Sequence, residues 1–442
     1  MTIIGGVLMR KNLFVFMIVA MKNFRSLRAV LLSLVLLCPV GAFGAGFTNM
    51  YIIGDSLSDQ GNMFYATQSL TGFGLPATDH YWMGRFANGY NYIDTLSDRM
   101  GITSTNSLSG GNNFADGGAR VDYNIVELDS SKSFPVNLLG QGGILPENAF
   151  PWTLDAQRTA FANREVDDPD ALFVVFAGAN DLNDLITMVA IHSQNPMFPD
   201  PQPTAFMGKM LQSINQAIAA YVASGARNIL VPNVPNLGAI PAVTVYGPNL
   251  SALAAYLTAQ YNDALASLLS QWEALGYVNI IPFDTYSFLT QVVNNPAAYG
   301  FSNATAPCYT GFVSPAGPGD TACDTPESYV FWDREHPTTA AHAVLADRMR
   351  AAIVLDILDD LINRINNVQN GIPAALQKTL GAKLEDARKA FTDSNATNDV
   401  AAAGSLGEFI DLVKAQAGKK IPLNTANYLI GQTEKIIPLI AS

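Results

Sequence analysis

Histidine and cysteine are scarce in this chain, with four His and three Cys in 442 residues. So few imidazoles leave little choice of base for proton transfer. The lack of any CxxC spacing argues against a bound metal, and no cofactor is implied. Positive charge is also short. Twenty-five Lys and Arg stand against 37 Asp and Glu, for a net charge of −12. An acidic surface of this kind excludes nucleic-acid binding and electrostatic docking on anionic lipid. Long apolar runs are missing too: Ala29 to Val40 falls short of the roughly 20 residues that span a bilayer. No heptad or solenoid period recurs.

That short run has another use. Arg25 and Arg28 precede it, and Ala42-Phe43-Gly44 follows with small residues for cleavage, so residues 1–44 read as an export signal. A second apolar stretch, Leu13 to Met21, points to Met21 as an alternative start. Removing 1–44 takes away five Lys and Arg and no acids, which carries the net charge to −17. The mature protein is then expected in the periplasm, on the cell surface or in the medium. Cys38 falls in the leader, and Leu37 before it is too large for a lipoprotein signal. Cys308 and Cys323 remain, and two nearby Cys in an exported chain read as a disulfide. A loop of that size is worth about 3 kcal/mol in chain entropy. It is rich in Gly, Pro and Thr, without periodicity.

From Asn49 to about Ala352 strand and helix patterns alternate. Tyr51 to Ile53, Leu172 to Ala177, Asn228 to Val234 and Val278 to Phe283 read as buried strands. Met207 to Ala223 and Ser251 to Leu275 read as helices, with Gly225 and Gly276 at their C-terminal caps. This alternation predicts an α/β fold, a parallel sheet with helices on both faces. Near residue 355 the composition shifts and helical spacing takes over: Leu358, Leu361, Ile362 and Ile365, then Leu380, Leu384, Ala387 and Phe391, then Leu406, Phe409, Ile410 and Val413. The expected organisation is a leader (1–44), an α/β domain (45–355) and a small all-α module (356–442).

Ser56 stands just past the first strand, in Gly54-Asp55-Ser56-Leu57-Ser58-Asp59, where α/β sheets place ligands. A turn or helix cap explains such a serine equally well. Serine needs a base to become a nucleophile. His336 is one, and Asp333, three residues earlier, can fold back to orient it; a surface Asp and a helix-start His is the plainer alternative. Asn180, in Gly178-Ala179-Asn180-Asp181 at the end of a strand, offers an amide to a developing oxyanion. Asn113 to Ala119 contains Gly117-Gly118, whose backbone N–H groups can approach a ligand closely. Asp55 reads as a loop holder and His342 as a packing residue. Phe and Tyr around 64–92 suit an acyl pocket or ordinary core equally.

Taken in order, these four blocks resemble the GDSL, or SGNH, hydrolase family of lipases and esterases. Gly84-Arg85-Phe86-Ala87-Asn88-Gly89 resembles the GRFSNG element of many members. The resemblance spans about 49–352. It implies a flavodoxin-like three-layer α/β/α fold, with Ser56 as nucleophile, His336 as base and Asp333 orienting it. It also implies an oxyanion hole from the N–H groups of Ser56 and Gly118 and the amide of Asn180. Gly118 matches better than Gly117. No G-x-S-x-G elbow surrounds Ser56. The loops look most like bacterial secreted lipases, phospholipases and glycerophospholipid:cholesterol acyltransferases. The 301–330 insertion before Asp333 is either a lid or a stapled surface loop. Residues 356–442 faintly resemble the FIMAH-type helical module, through Leu384-Glu385-Asp386-Ala387 and Gly418-Lys419-Lys420-Ile421. The implied activity is an exported esterase or lipase acting on lipid or small esters. An acyltransferase moving a phospholipid acyl chain to a sterol or other alcohol is the alternative. A third reading is a non-catalytic surface-binding protein, with the helical module attaching to a cell-surface component or partner protein.

Overall fold

A computed structural model describes residues 46–121, 153–198, 200–393 and 396–441. The expected leader lies outside the described residues. Four strands form a parallel sheet in the order β1 (Met50–Gly54), β2 (Leu172–Phe176), β3 (Asn228–Pro232) and β4 (Asn279–Phe283). On the outer edge of β1 the backbone of residues 112–116 runs alongside. Ile52 N donates to Asn112 O at 3.1 Å, and Phe114 N donates back to Ile52 O at 2.7 Å. Asp116 N reaches Gly54 O at 3.2 Å. Counting that edge as the second strand gives the flavodoxin-like order 2-1-3-4-5, whose switch point falls at the C-terminal end of β1.

The strands are apolar throughout because both faces are covered. Alternate residues serve opposite layers. Tyr51, Ile53, Phe173, Val175, Ile229 and Val231 face one cluster. Met50, Ile52, Leu172, Val174, Leu230 and Ile281 face the other. The helices longer than one turn are α1 (Asn62–Thr71), α2 (Tyr92–Met100), α3 (Leu154–Ala162), α4 (Ala179–Gln194), α5 (Pro203–Ala223), α6 (Pro248–Glu273), α7 (Thr285–Asn294), α8 (Thr339–Asn366), α9 (Ala374–Thr392), α10 (Ala396–Gln416) and α11 (Leu423–Ala441) among the described residues. Helices α3 to α6 cover the first face, α2 and α8 the second. Both α5 and α6 begin earlier than the hydrophobic pattern suggests, at Pro203 and Pro248 rather than Met207 and Ser251. Proline at the first helical position has a preset φ and no N–H to satisfy, so it opens a helix ahead of the apolar stripe.

The division expected at 355/356 falls inside α8. Thr338 caps that helix through Ala341 N at 3.1 Å. From there one buried stripe runs without a break through Leu345, Met349, Ile353, Ile357, Leu361 and Ile365. A change in composition is not a change in period, and nothing at 355 stops the helix. Leu380 and Leu384 of α9, Phe409 of α10, and Leu429 and Ile436 of α11 join the same cluster as the sheet. Gln432 of α11 hydrogen-bonds Asn228 at the start of β3, at 3.1 Å. The C-terminal helices therefore extend one layer of the α/β domain rather than enclosing a core of their own.

Inside 301–330 two short parallel strands form, β5 (Asn303–Pro307) and β6 (Tyr329–Phe331). The disulfide joins Cys308 to Cys323 between them. The last strand delivers the chain directly to Asp333.

Because the layer is shared, Phe409→Ala should cost about 3–5 kcal/mol and lower one cooperative unfolding transition. Differential scanning calorimetry checks this. A second, separately melting transition would show that the helices after α8 fold on their own.

Candidate active site

The site starts at Gly54. A Cβ there would lie 2.5 Å from Phe176 O, so only glycine lets β1 end this close to β2. The Gln157 amide clamps that residue from α3, accepting from Gly54 N and donating to Gly54 O at 2.8 Å each. The chain then turns. Asp55 Oδ1 accepts from Leu57 N at 3.1 Å, and Asp55 O accepts from Ser58 N and Asp59 N at 3.0 and 3.1 Å. Ser56 sits on this turn, partly exposed.

His336 reaches the turn from 280 residues away, with Nε2 2.9 Å from Ser56 Oγ. Its Nδ1 lies 2.8 Å from Asp333 Oδ2. The other carboxylate oxygen accepts from the backbone N–H groups of Glu335 and His336 at 2.7 Å each. The three-residue spacing thus folds into one turn, as expected. Burial opposes ionisation of Asp333, but the His336 charge and the donors around the carboxylate outweigh it and hold the group below its usual range. Burial likewise opposes protonation of His336, and the Asp333 carboxylate outweighs it, raising the imidazole above its ordinary 6.5. Burial pushes Asp55 up to about 6. His342 is buried beside Tyr92, and desolvation with the His336 charge takes it down to about 3, which keeps it neutral. It packs, as the sequence suggests.

The oxyanion candidates are positioned by a second network. Asp59 accepts from Gly61 N and Asn62 N at 2.7 Å, Met63 N at 3.1 Å and Gly117 N at 2.9 Å. Gly117 thereby commits its N–H, whereas those of Ser56 and Gly118 have no acceptor among the described residues. Gly118 takes φ +73°, left-handed and open to glycine. Asn180, in the first turn of α4, donates through Nδ2 to Ala119 O at 3.0 Å and so holds the loop next to Gly118.

The GRFxNG element divides into three jobs. Arg85 pairs with Asp94 at 2.8 Å. The ring of Phe86 lies 5.0 Å from that of His336, and a Cβ on Gly117 would strike it. Asn88 Oδ1 accepts from Thr339 N at 2.8 Å, at the start of α8. Sequence reasoning missed Gln157 and Tyr81, whose hydroxyl donates to Asp333 Oδ2 at 2.6 Å. Neither residue stands in a motif, and only folding brings them near.

A cavity of about 850 Å³, counted to its open mouth, leads away from Ser56, Asn180 and His336. Leu237, Ile240, Phe288, Leu289, Val292 and Phe301 give it apolar walls. None of the Phe and Tyr of 64–92 lines it, and neither does Gly118. Among the described residues no group of three or more His, Cys, Asp or Glu could hold a metal ion. A serine hydroxyl on an oriented imidazole, free N–H groups beside it and an apolar cavity suit nucleophilic attack on an acyl carbonyl.

Comparison with known proteins points the same way. The family model for GDSL-like lipase/acylhydrolase matches residues 50–349. A GDSL esterase/lipase of Arabidopsis thaliana is 26% identical over 339 residues, covering 69% of this chain and 84% of the relative. A second from the same organism is 29% identical over 328 residues, covering 68% and 83%. A phosphatidylcholine-sterol acyltransferase of Aeromonas hydrophila is 25% identical over 340 residues, covering 68% and 86%. The match takes in β1 through the first turns of α8, with Ser56, Asn180, Asp333 and His336 inside it, and the chain belongs to the GDSL-like lipase/acylhydrolase family.

Proposed function

We propose that this chain, a lipolytic ester hydrolase by family, works through an acyl-enzyme on Ser56. The observation that carries the reading is the continuous Ser56–His336–Asp333 hydrogen-bond chain at the mouth of an apolar cavity. Ser56 Oγ attacks the ester carbonyl while His336 Nε2 takes its proton. Asp333 keeps the imidazole in the tautomer that presents a bare Nε2 and stabilises the imidazolium as it forms. The N–H groups of Ser56 and Gly118, with Asn180 Nδ2, receive the oxyanion. On collapse the alcohol leaves with the proton from His336. Water, deprotonated by the same imidazole, then releases the acid. The acyl chain lies in the cavity, against Phe288 and Leu289, where its burial contributes about 0.8 kcal/mol per methylene.

A second reading differs only in the last step. A sterol or other alcohol replaces water at the acyl-enzyme, as the likeness to the Aeromonas hydrophila acyltransferase suggests. Product analysis on mixed phospholipid with and without cholesterol separates transfer from hydrolysis. Export is part of the proposal. The charged and apolar pattern of 1–44 and the Cys308–Cys323 bridge support it, since such bridges persist in oxidising compartments.

Three outcomes follow. Ser56→Ala should lower turnover of p-nitrophenyl acyl esters by at least about 10⁴-fold with the fold intact by circular dichroism; unchanged turnover would sink the acyl-enzyme. His336 works only when neutral, so log(kcat/KM) should rise with pH through its raised value. The midpoint should lie above 6.5, with a plateau beyond it. A flat profile across the neutral range would exclude His336 as base. Leu289→Trp fills the cavity and should cut kcat/KM for long acyl chains by about tenfold or more, sparing acetyl esters. Equal losses on both would place the acyl chain elsewhere.

A further inference from the structure

We infer that Tyr81 is a positioning residue that ties the disulfide-closed loop 308–323 to the carboxylate orienting His336. The inference rests on the reading of Asp333 and His336 above, and it adds a coupling that neither the motifs nor the relatives indicate.

Tyr81 is buried, and its hydroxyl has two partners. It donates to Asp333 Oδ2 at 2.6 Å, the same oxygen that faces His336 Nδ1. It accepts from Val313 N at 3.0 Å. Because Val313 supplies a proton, the phenol's own proton is left for Asp333. The loop is gripped from the same segment at other points. Ala77 N donates to Val313 O at 2.8 Å, and Ala316 N donates to Asp79 Oδ2 at 2.8 Å. Val313 holds φ +36°, a left-handed conformation that β-branched residues avoid. Such a conformation persists where its surroundings over-determine it, and here both polar groups of its backbone are bound. The neighbouring Phe312 stacks on His336 at 5.9 Å, and Arg334 lies over Phe312 at 4.3 Å. The loop therefore touches both partners, His336 through a ring and Asp333 through the Tyr81 hydroxyl.

The chemistry of that hydroxyl has a sign. A donor on Oδ2 draws negative charge from the oxygen that stabilises the imidazolium. Without it, the carboxylate holds imidazolium more strongly and the imidazole titrates at higher pH. The other titratable groups facing His336 are Glu335, Asp55 and His342, and none belongs to the loop. Tyr309 stacks on Trp332 and His80 and meets the edge of Tyr81, with Asp320, Asp79 and Asp333 as its charged neighbours.

The test reads His336 directly. Four histidines in the full sequence make ¹⁵N-imidazole titration by NMR tractable, with a His336→Asn sample to assign the signal. In Tyr81→Phe the His336 midpoint should move up by about half a pH unit, the acid limb of kcat/KM should follow, and kcat should fall about tenfold with KM nearly unchanged. Reducing the Cys308–Cys323 bridge in the unsubstituted protein should shift the midpoint the same way. Reduction should add little in Tyr81→Phe, because both changes break one chain of contacts. An unmoved midpoint in a folded Tyr81→Phe protein would overturn the positioning role. A reduced protein with an unmoved midpoint, or independent and additive effects, would overturn the tie to the loop. Neither titration requires turnover, so an active Ser56→Ala variant would reject the acyl-enzyme while leaving this result to stand or fall by itself.

Discussion

The carboxylate of Asp59 is the knot from which the rest of the site hangs. It is fully buried, and desolvation pushes it up to about 6. Four backbone N–H groups, from Gly61, Asn62, Met63 and Gly117, offset that cost. Those donors come from the turn after Ser56, the start of α1 and the Gly117-Gly118 loop. One charge therefore sets three backbone segments against each other. Asp116 beside it is equally buried, but both of its oxygens lack a partner. Its own burial and the Asp59 charge drive it well above the usual carboxylate range. Of the two, Asp59 is the one whose oxygens accept the backbone hydrogen bonds, and Asp116 is pushed up further.

That arrangement separates the two adjacent glycines. Gly117 is structural twice over: its N–H goes to Asp59, and the Phe86 ring occupies the space a side chain would need. Gly118 has neither burden, and its left-handed φ leaves its N–H without an acceptor. Motif spacing alone leaves that choice to alignment, while the hydrogen bonds engage the Gly117 N–H and leave that of Gly118 open. The same accounting explains the GRFxNG element, whose arginine, phenylalanine and asparagine each hold a different part of the site.

Much of this was legible in the sequence, for definite reasons. The sheet could be read because a strand buried on both faces must be apolar throughout, as in Leu172 to Phe176. Ser56, Asp333 and His336 could be picked out because imidazoles are few and the Asp–His spacing closes within one turn. The helix starts at Pro203 and Pro248 were misplaced because the apolar stripe begins after the proline. The 355/356 boundary failed because a loss of Trp and Cys says nothing about whether a helix continues. Tyr81 could not be read at all, standing 252 residues from its partner with no local signature. The cavity walls were equally hidden, since Leu237, Phe288 and Phe301 come from three separated segments and look like ordinary core.

The cavity and the hydrogen-bond network share Asp55, Ser56, Leu57, Asn180, Glu335 and His336, and the rest of the cavity wall is largely apolar. Apolar walls distinguish acyl groups mainly by volume, at about 1–3 kcal/mol per methylene. The polar side consists of groups aimed at the reacting carbonyl, which every ester shares. On the proposed acyl-enzyme reading, discrimination on the acyl side belongs to α7 and its neighbours, where Phe288 and Leu289 stand. Phe312 and Phe86 flank His336 and do not line the cavity. Because Phe312 belongs to the disulfide-closed loop, that loop bears on the base through a ring. The apolar walls of the cavity and the rings beside the base thus come from different elements of the fold.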